Sequence, residues 1–194
     1  MMLCRLMKSG LVALAAIAGS CVQAAPRVLI PAESRIDFVV KEMGVPVQGA
    51  FTRFESSIDI NSTNPALSNA QLKIDVGSLS TGTVEADAIA VGSDWLDKSR
   101  TPYALFKSSS FRSLGAGRFE ARGELSLHSR TRNLVVQFVS TEQADGKTLI
   151  TSDFVIRRSE FAIGAGEWNE AGVVAEEIPV KIRLMLAATA AASK

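Results

Sequence analysis

Apolar and polar residues alternate with a period of two over most of this chain. Ile36, Phe38 and Val40 fall on one face, with Arg35, Asp37, Val39 and Lys41 on the other. Leu72, Ile74 and Val76 alternate with Gln71, Lys73 and Asp75. Phe119, Ala121, Gly123, Leu125 and Leu127 alternate with Arg118, Glu120, Arg122 and Glu124. Leu134, Val136 and Phe138 keep the same step, as do Ile178, Val180, Ile182, Leu184 and Leu186. Neighbouring side chains of a strand point to opposite faces, so the pattern predicts strands with one apolar and one charged face. Phe51 and Phe54 fall out of step before Ile58 and Ile60, which predicts a bulge or sharp bend in a long strand. Turn-forming residues separate the runs at Asn61 to Pro65, Gly115 to Gly117, Ser129 to Asn133 and Asp145-Gly146. The expected fold is all-β: an antiparallel sheet with one wet side, closed into a barrel so that no edge is left exposed.

One segment departs from this rule. From Thr83 to Trp95, the residues Val84, Ala88, Val91 and Trp95 recur at helical spacing. Thr81 or Thr83 is placed to cap such a helix, and Gly92 predicts that it is short or interrupted. It is expected to cover one end of the barrel. No repeat, linker or second domain is visible.

The first residues read as an export leader, which confines the fold to the remainder. Arg5 and Lys8 form a basic start, Gly10 to Ala18 an apolar stretch, and Val22-Gln23-Ala24 a small-residue cleavage site. The apolar stretch is shorter than the roughly 20 residues a lone spanning helix needs. Residues 1–24 are therefore expected to be a cleaved signal peptide, and residues 25–194 one periplasmic domain. A rival reading makes Cys21 a lipid-anchored N-terminus. Ala18 stands against it, where a larger aliphatic residue is expected.

Composition then removes several function classes. Both cysteines, Cys4 and Cys21, lie in the leader, so the exported domain has no disulfide, thiol nucleophile or thiolate ligand. The net charge is +1 and no basic cluster stands out, which excludes an electrostatic footprint for nucleic acid. His128 is the only histidine, so no His pair is present for a metal site. It stands in "LSLHSRTRN", where a solvated or hairpin-stabilising role is expected. Glu167, Glu170, Glu176 and Glu177 read as a solvated rim rather than an acid–base pair.

The stretch "FAIGAGEW", residues 161–168, admits two readings. A phosphate cradle needs a helix N-terminus after the glycines, yet Glu167 to Val174 carry no helical pattern. The better reading is a bend at the barrel rim, with Trp168 turned back over the interior. Trp95 and Trp168 are core plugs if the barrel is filled and pocket lining if it is hollow. Alternation alone does not separate these cases. Arg157 and Arg158 face opposite sides of a strand. The default reading is an outer-face arginine paired with a carboxylate, and the functional alternative sets one arginine at a cavity mouth, facing a polar ligand head.

The order and spacing of several stretches resemble the YceI family of exported, lipocalin-like polyisoprenoid-binding proteins. They are "SRIDFVVKEMGVPVQGAFTRF", "VGSLSTGTVEADAIAVGSDWLD", "TPYALFKSSSF", "GELSLHSRTRNLVVQF", "FVIRRSEFAIG" and "VAEEIPVKIRLML", running from about Ser34 to Leu186. The chain departs from the family pattern at Glu42, where a histidine is usual, and at Ser129 and Ala162, where glycines are usual.

The resemblance implies an eight-stranded antiparallel barrel with a short helix over one end. It also implies an apolar tunnel holding an isoprenoid lipid, a polyprenyl chain or a quinone. The expected function is a non-catalytic periplasmic binding or carrier protein without a cofactor. A filled-barrel interaction module docking a membrane or redox partner is the alternative, and a hydrolase using His128 a third class. The expected ligand-binding residues are Phe38, Val40, Met43, Phe51, Trp95, Phe106, Leu125, Leu127, Phe138, Phe154, Ile156, Arg158, Phe161 and Trp168. Met43 and its neighbours are expected to form a mobile apolar lip. Transient membrane contact and a homodimer complete the expected partners.

Overall fold

The computed structural model describes residues 27–170 and 172–188. The expected leader, its cleavage site after Ala24 and Cys21 lie outside the described residues. The strands are β1 (Arg27–Leu29), β2 (Arg35–Glu42), β3 (Val45–Phe51), β4 (Phe54–Asp59), β5 (Asn69–Asp75) and β6 (Leu79–Ser80). After α1 (Val84–Ala90), the one α-helix among the described residues, come β7 (Tyr103–Gly115), β8 (Arg118–Leu127), β9 (Arg130–Glu142), β10 (Thr148–Arg157) and β11 (Glu177–Ala188). Every pairing is antiparallel, and the order β1-β4-β5-β7-β8-β9-β10-β11 returns to β1. This is the expected closed barrel of eight strands.

Three of the barrel strands are broken partway along. β1 and β2 share the same edge of β11, separated by a 3-10 turn over Pro31–Glu33. β3 and β4 are separated at Thr52-Arg53, the bend expected from Phe51 and Phe54, and there the strand changes partners. Buried Ser78 stabilises that bend: its backbone oxygen accepts from Thr52 N–H at 3.2 Å and its Oγ from Arg53 N–H at 3.0 Å. Backbone groups that lose their ladder partner thus gain another, as buried peptide groups require. β5 and β6 flank a 3-10 turn at Val76–Ser78, where Asp75 Oδ1 accepts from Gly77 N–H at 2.8 Å.

Two tight hairpins have both central residues at positive φ, as a two-residue type I′ turn requires. In the β2–β3 turn, Met43 and Gly44 have φ of 46° and 81°. In the β8–β9 turn, His128 and Ser129 have φ of 46° and 59°. The latter turn lies earlier than the expected Ser129 to Asn133, because Arg130 already pairs with Leu127 as the first residue of β9.

The helix also differs from expectation. It ends at Ala90, so Val91 and Trp95 belong to the turns after it. Val84 and Ala88 face solvent, and Ala86, Ile89 and Ala90 approach the barrel interior instead. A seven-residue helix is too short for the expected stripe to form one continuous face.

The lower barrel, where β1, β7–β8 and β9–β10 turn, is filled. Phe119 stacks on Phe138 at 5.5 Å, and Phe111 meets Phe138 edge-on at 6.1 Å. Ile36, Leu184 and Leu186 complete this cluster and are essentially buried. A second cluster of Val76, Leu79, Leu96, Ala104, Leu127, Phe161 and Ile163 lies under the helical end.

Candidate functional site

Between these two clusters the barrel is hollow. The cavity has a volume of about 290 Å³ and a lining that is apolar apart from Glu42, Thr81, Ser152 and the two indoles. Its walls are the inward alternates of the strands, and its floor is the Phe111–Phe119–Phe138 cluster. The volume sits near the lower end of ligand pockets, which span roughly 300–1,000 Å³. A filled floor and a hollow upper half thus coexist in one barrel.

The roof consists of α1 and two tryptophans. Trp95 and Trp168 meet edge-to-face, with ring centroids 5.6 Å apart at 67°. The Trp95 indole N–H is buried and has no hydrogen-bond partner. On one wall the far end of the Phe38 ring sits over Gly49. A Cβ built there would sit 2.3 Å from the Phe38 ring, so glycine leaves the space the ring occupies. Phe38 also packs on Phe51 at 5.4 Å.

The "FAIGAGEW" segment forms the bend beside this roof. Gly164 and Gly166 have φ of 72° and 64°, a region glycine adopts at little cost. The N–H groups of Gly164 and Ala165 both donate to Asp94 O at 2.8 Å, so the amides an anion would need are occupied. A short 3-10 turn, Gly166–Asn169, then carries Trp168 over the cavity.

Of the expected ligand-binding residues, Phe38, Val40, Phe51, Trp95, Phe106, Leu125, Leu127, Phe138, Phe154, Ile156 and Trp168 all line the cavity. Three do not. Phe161 is 2% exposed and packs in the cluster behind the wall, because β10 ends at Arg157 and the next residues turn into a 3-10 helix. Met43 is 74% exposed at the tip of the β2–β3 turn and is not part of the cavity lining. Its N–H donates to Val173 O at 2.8 Å, so the tip is tied to a neighbouring loop.

Arg158 is the third correction. Its side chain is buried, and Nη1 donates to Ile163 O and Gly164 O, each at 3.1 Å, while Nη2 reaches Val174 O at 3.4 Å. The guanidinium fastens the loop after β10 rather than facing a ligand head. Arg157, by contrast, is outward and pairs with Glu176 at 3.7 Å.

Sequence reasoning missed Glu42, Thr81, the helix residues Ala86, Ile89 and Ala90, and Ile163. Glu42 was legible, since it extends the inward series Ile36, Phe38, Val40 by one further step. Thr81 and the helix residues carried no such signal, because their placement depends on how α1 is seated.

His128 bridges two segments instead of facing a reacting group. Its Nδ1 lies 2.9 Å from Phe161 O and its Nε2 3.2 Å from Ser93 O. Each ring nitrogen donates to its carbonyl when it carries a proton. Among the described residues, no group of three or more His, Cys, Asp or Glu side chains is arranged to hold a metal ion. No helix among them is long and apolar enough to cross a membrane.

Comparison with known proteins agrees with this architecture. A crystal structure of Burkholderia cenocepacia BcnA superposes with a TM-score of 0.78 at 29% identity, covering 81% of this chain and 98% of that one. A polyisoprenoid binding domain from Saccharophagus degradans, implicated in plant cell wall breakdown, shares the fold with a TM-score of 0.65 at 18% identity. It covers 86% of this chain and 99% of that domain. A UPF0312 protein of Vibrio cholerae is 30% identical over 115 residues, 58% of this chain and 61% of the relative. The match thus spans less than two thirds of that relative's length. The family model described as the YceI-like domain matches residues 28–186. With the barrel, the helix over its end and the matched span in agreement, the chain belongs to the YceI-like family.

Proposed function

We propose that this protein is a non-catalytic carrier of an isoprenoid lipid, a polyprenyl chain or a quinone, working in the periplasm after removal of its leader. The observation that carries the reading is the barrel cavity of about 290 Å³ with its almost wholly apolar lining. Each CH₂ taken out of water gains roughly 0.8 kcal/mol, so an apolar chain is held by area alone, without catalytic groups. The polyisoprenoid binding described for the Saccharophagus degradans domain is consistent with this ligand class. A solitary donor inside an apolar cavity suits a lipid with one polar end. The unpaired Trp95 N–H is such a donor, matched to a quinone carbonyl or a head-group oxygen. On the outer surface Met43, Val45 and Val84 are 74%, 63% and 78% exposed, apolar positions suited to transient contact with a membrane.

Titration with a fluorescent polyprenyl analogue tests this. Wild type is expected to bind it, with inorganic pyrophosphate in excess failing to compete. Trp168→Ala is expected to bind at least tenfold more weakly. Trp95→Phe keeps the ring and removes the donor, so it should weaken a quinone-headed probe more than a plain hydrocarbon one. Absence of binding by wild type, or strong competition by pyrophosphate, would overturn the reading.

A further inference from the structure

The barrel seams are unequally sealed. β8 pairs with β9 from Arg118↔Val139 to Leu127↔Arg130, and β10 with β11 from Thr148↔Leu186 to Arg157↔Glu177. Between β9 and β10 the ladder covers only Thr148↔Glu142 to Thr151↔Val139. Carried on, that register would set Val155 opposite Val135, but no ladder forms there. Ser152 Oγ donates to Gln137 O at 2.7 Å in place of a backbone bond, and beyond it β9 and β10 share no ladder pair. At the other end His128 Nδ1 meets the backbone oxygen of Phe161, in the turn that follows β10. A slot is left between these two contacts, along residues 153–157 of β10, or about 16 Å of strand.

The slot opens onto the cavity. Leu134 and Val136 on β9, with Phe154 and Ile156 on β10, face inward, line the cavity and are only partly buried. On the outer face Val135 and Val155 are 46% and 48% exposed. The seam between β2 and β11 also has a short ladder, from Val180↔Phe38 to Arg183↔Arg35. That seam is covered, because Ala175 N–H donates to Lys41 O, Met43 N–H donates to Val173 O, and Glu42 bridges to Val174. Among the described residues nothing comparable runs along the β9–β10 slot.

We propose that the β9–β10 slot is the side entrance through which an apolar lipid chain enters and leaves the cavity, with His128–Phe161 as the clasp at its end. This rests on the lipid-carrier reading above. Entry through the roof would part the Trp95–Trp168 pair and the loop held by Asp94 and Arg158. Entry through the slot breaks no strand-ladder hydrogen bond. The unpaired backbone groups of its lips stay hydrated while no chain passes, so the opening is tolerated in the empty protein. A cavity of this size also leaves part of a long chain outside, and the slot lets that part emerge sideways.

The test joins the two lips. Val135→Cys/Val155→Cys is made in the mature chain, where the only native cysteines, Cys4 and Cys21, have left with the leader, and is closed with a short bismaleimide. Stopped-flow measurement with a fluorescent polyprenyl probe compares it with the same protein capped by two monofunctional maleimides. Cross-linking is expected to lower both association and dissociation rates at least tenfold, with Kd changed less than about threefold. Opening the clasp with His128→Ala is expected to raise both rates, with Kd again within tenfold. Unchanged rates in a cross-linked protein that still binds would overturn the slot alone; no binding by wild type would overturn it together with the carrier reading. Hydrogen exchange on the unmodified chain gives a second readout. Amides of residues 153–157 turned toward β9 should exchange at least a hundredfold faster than those in the β8–β9 ladder and slow on probe binding. Equal protection at the two seams in the free protein would contradict the slot.

Discussion

At two positions this chain departs from the glycines of the family pattern, and the backbone shows why glycine is usual there. Ser129 and Ala162 have φ of 59° and 56°, inside the left-handed region where a Cβ crowds the following carbonyl. That conformation costs an ordinary residue about 1–2 kcal/mol, part of which glycine returns as greater freedom in the unfolded chain. Ser129→Gly and Ala162→Gly should therefore each stabilise the protein by about 0.5–1 kcal/mol, read as a higher denaturation midpoint at unchanged slope. A lower midpoint for both would show that the Ser and Ala side chains make contacts outweighing the strain. The same segment explains why Arg158 was misplaced from sequence. Strand alternation assigned it a face, but the strand stops one residue earlier and its partners are backbone oxygens five, six and sixteen residues further along. Side-chain pattern carries no trace of a partner that is main chain.

Among the elements, the strands were the most legible and the helix the least. A two-residue period reports directly which side chains face inward, and the strand residues Phe38, Val40, Phe106, Leu125 and Ile156, read as inward, line the cavity. The helix spans only Val84–Ala90, and Thr83 makes no side-chain capping bond. So short a helix is unstable alone in water and owes its existence to its seat on the barrel. That seat includes Asp87, whose Oδ1 accepts from Thr81 Oγ1 at 2.8 Å and from Thr81 N–H. Asp87→Ala should speed amide exchange across residues 84–90 by about tenfold or more and leave the β7–β8 ladder unchanged, following the loss of about 1–2 kcal/mol of local stability. Equal exchange in wild type and variant would show that the apolar seat of Ala86, Ile89 and Ala90 holds the helix unaided.

At the scale of the whole molecule, the fold class was legible because alternation, turn residues and charge all point to one closed sheet. The division into filled floor and hollow upper half was not, since both halves share the same alternation. What fills one half is the meeting of Phe111, Phe119 and Phe138, brought together from three strands. The outer surface makes a separate statement about acid stability. Glu120, nearly buried on the outer face, is flanked by Arg112 and Arg122, with N···O distances of 2.9 and 3.0 Å. The hydrogen bond from Arg112, aided by Arg122, holds its carboxyl below the ordinary 4.5. Arg53 holds Asp75 below the ordinary 3.8 in the same way. A carboxylate with a depressed folded-state value stabilises the protein fully above its unfolded value. That contribution is lost as pH falls through the folded value. Stability should thus hold from neutral pH to about pH 5 and fall progressively below it, and Glu120→Gln should flatten part of that fall. Denaturation midpoints across this range check it; an acid limb identical in the two proteins would remove Glu120 from the cause.

The central claim is that the hollow half of the barrel carries an apolar lipid chain. Native mass spectrometry of the protein purified gently from the envelope of its own cells tests this most directly, since one spectrum reports the mass of the chain and of anything within it. The result expected is a polypeptide shortened at Ala24 and accompanied by an added mass of the isoprenoid series, lost on extraction with organic solvent. Bare polypeptide in every preparation, with no shift on addition of polyprenyl lipid, would contradict it.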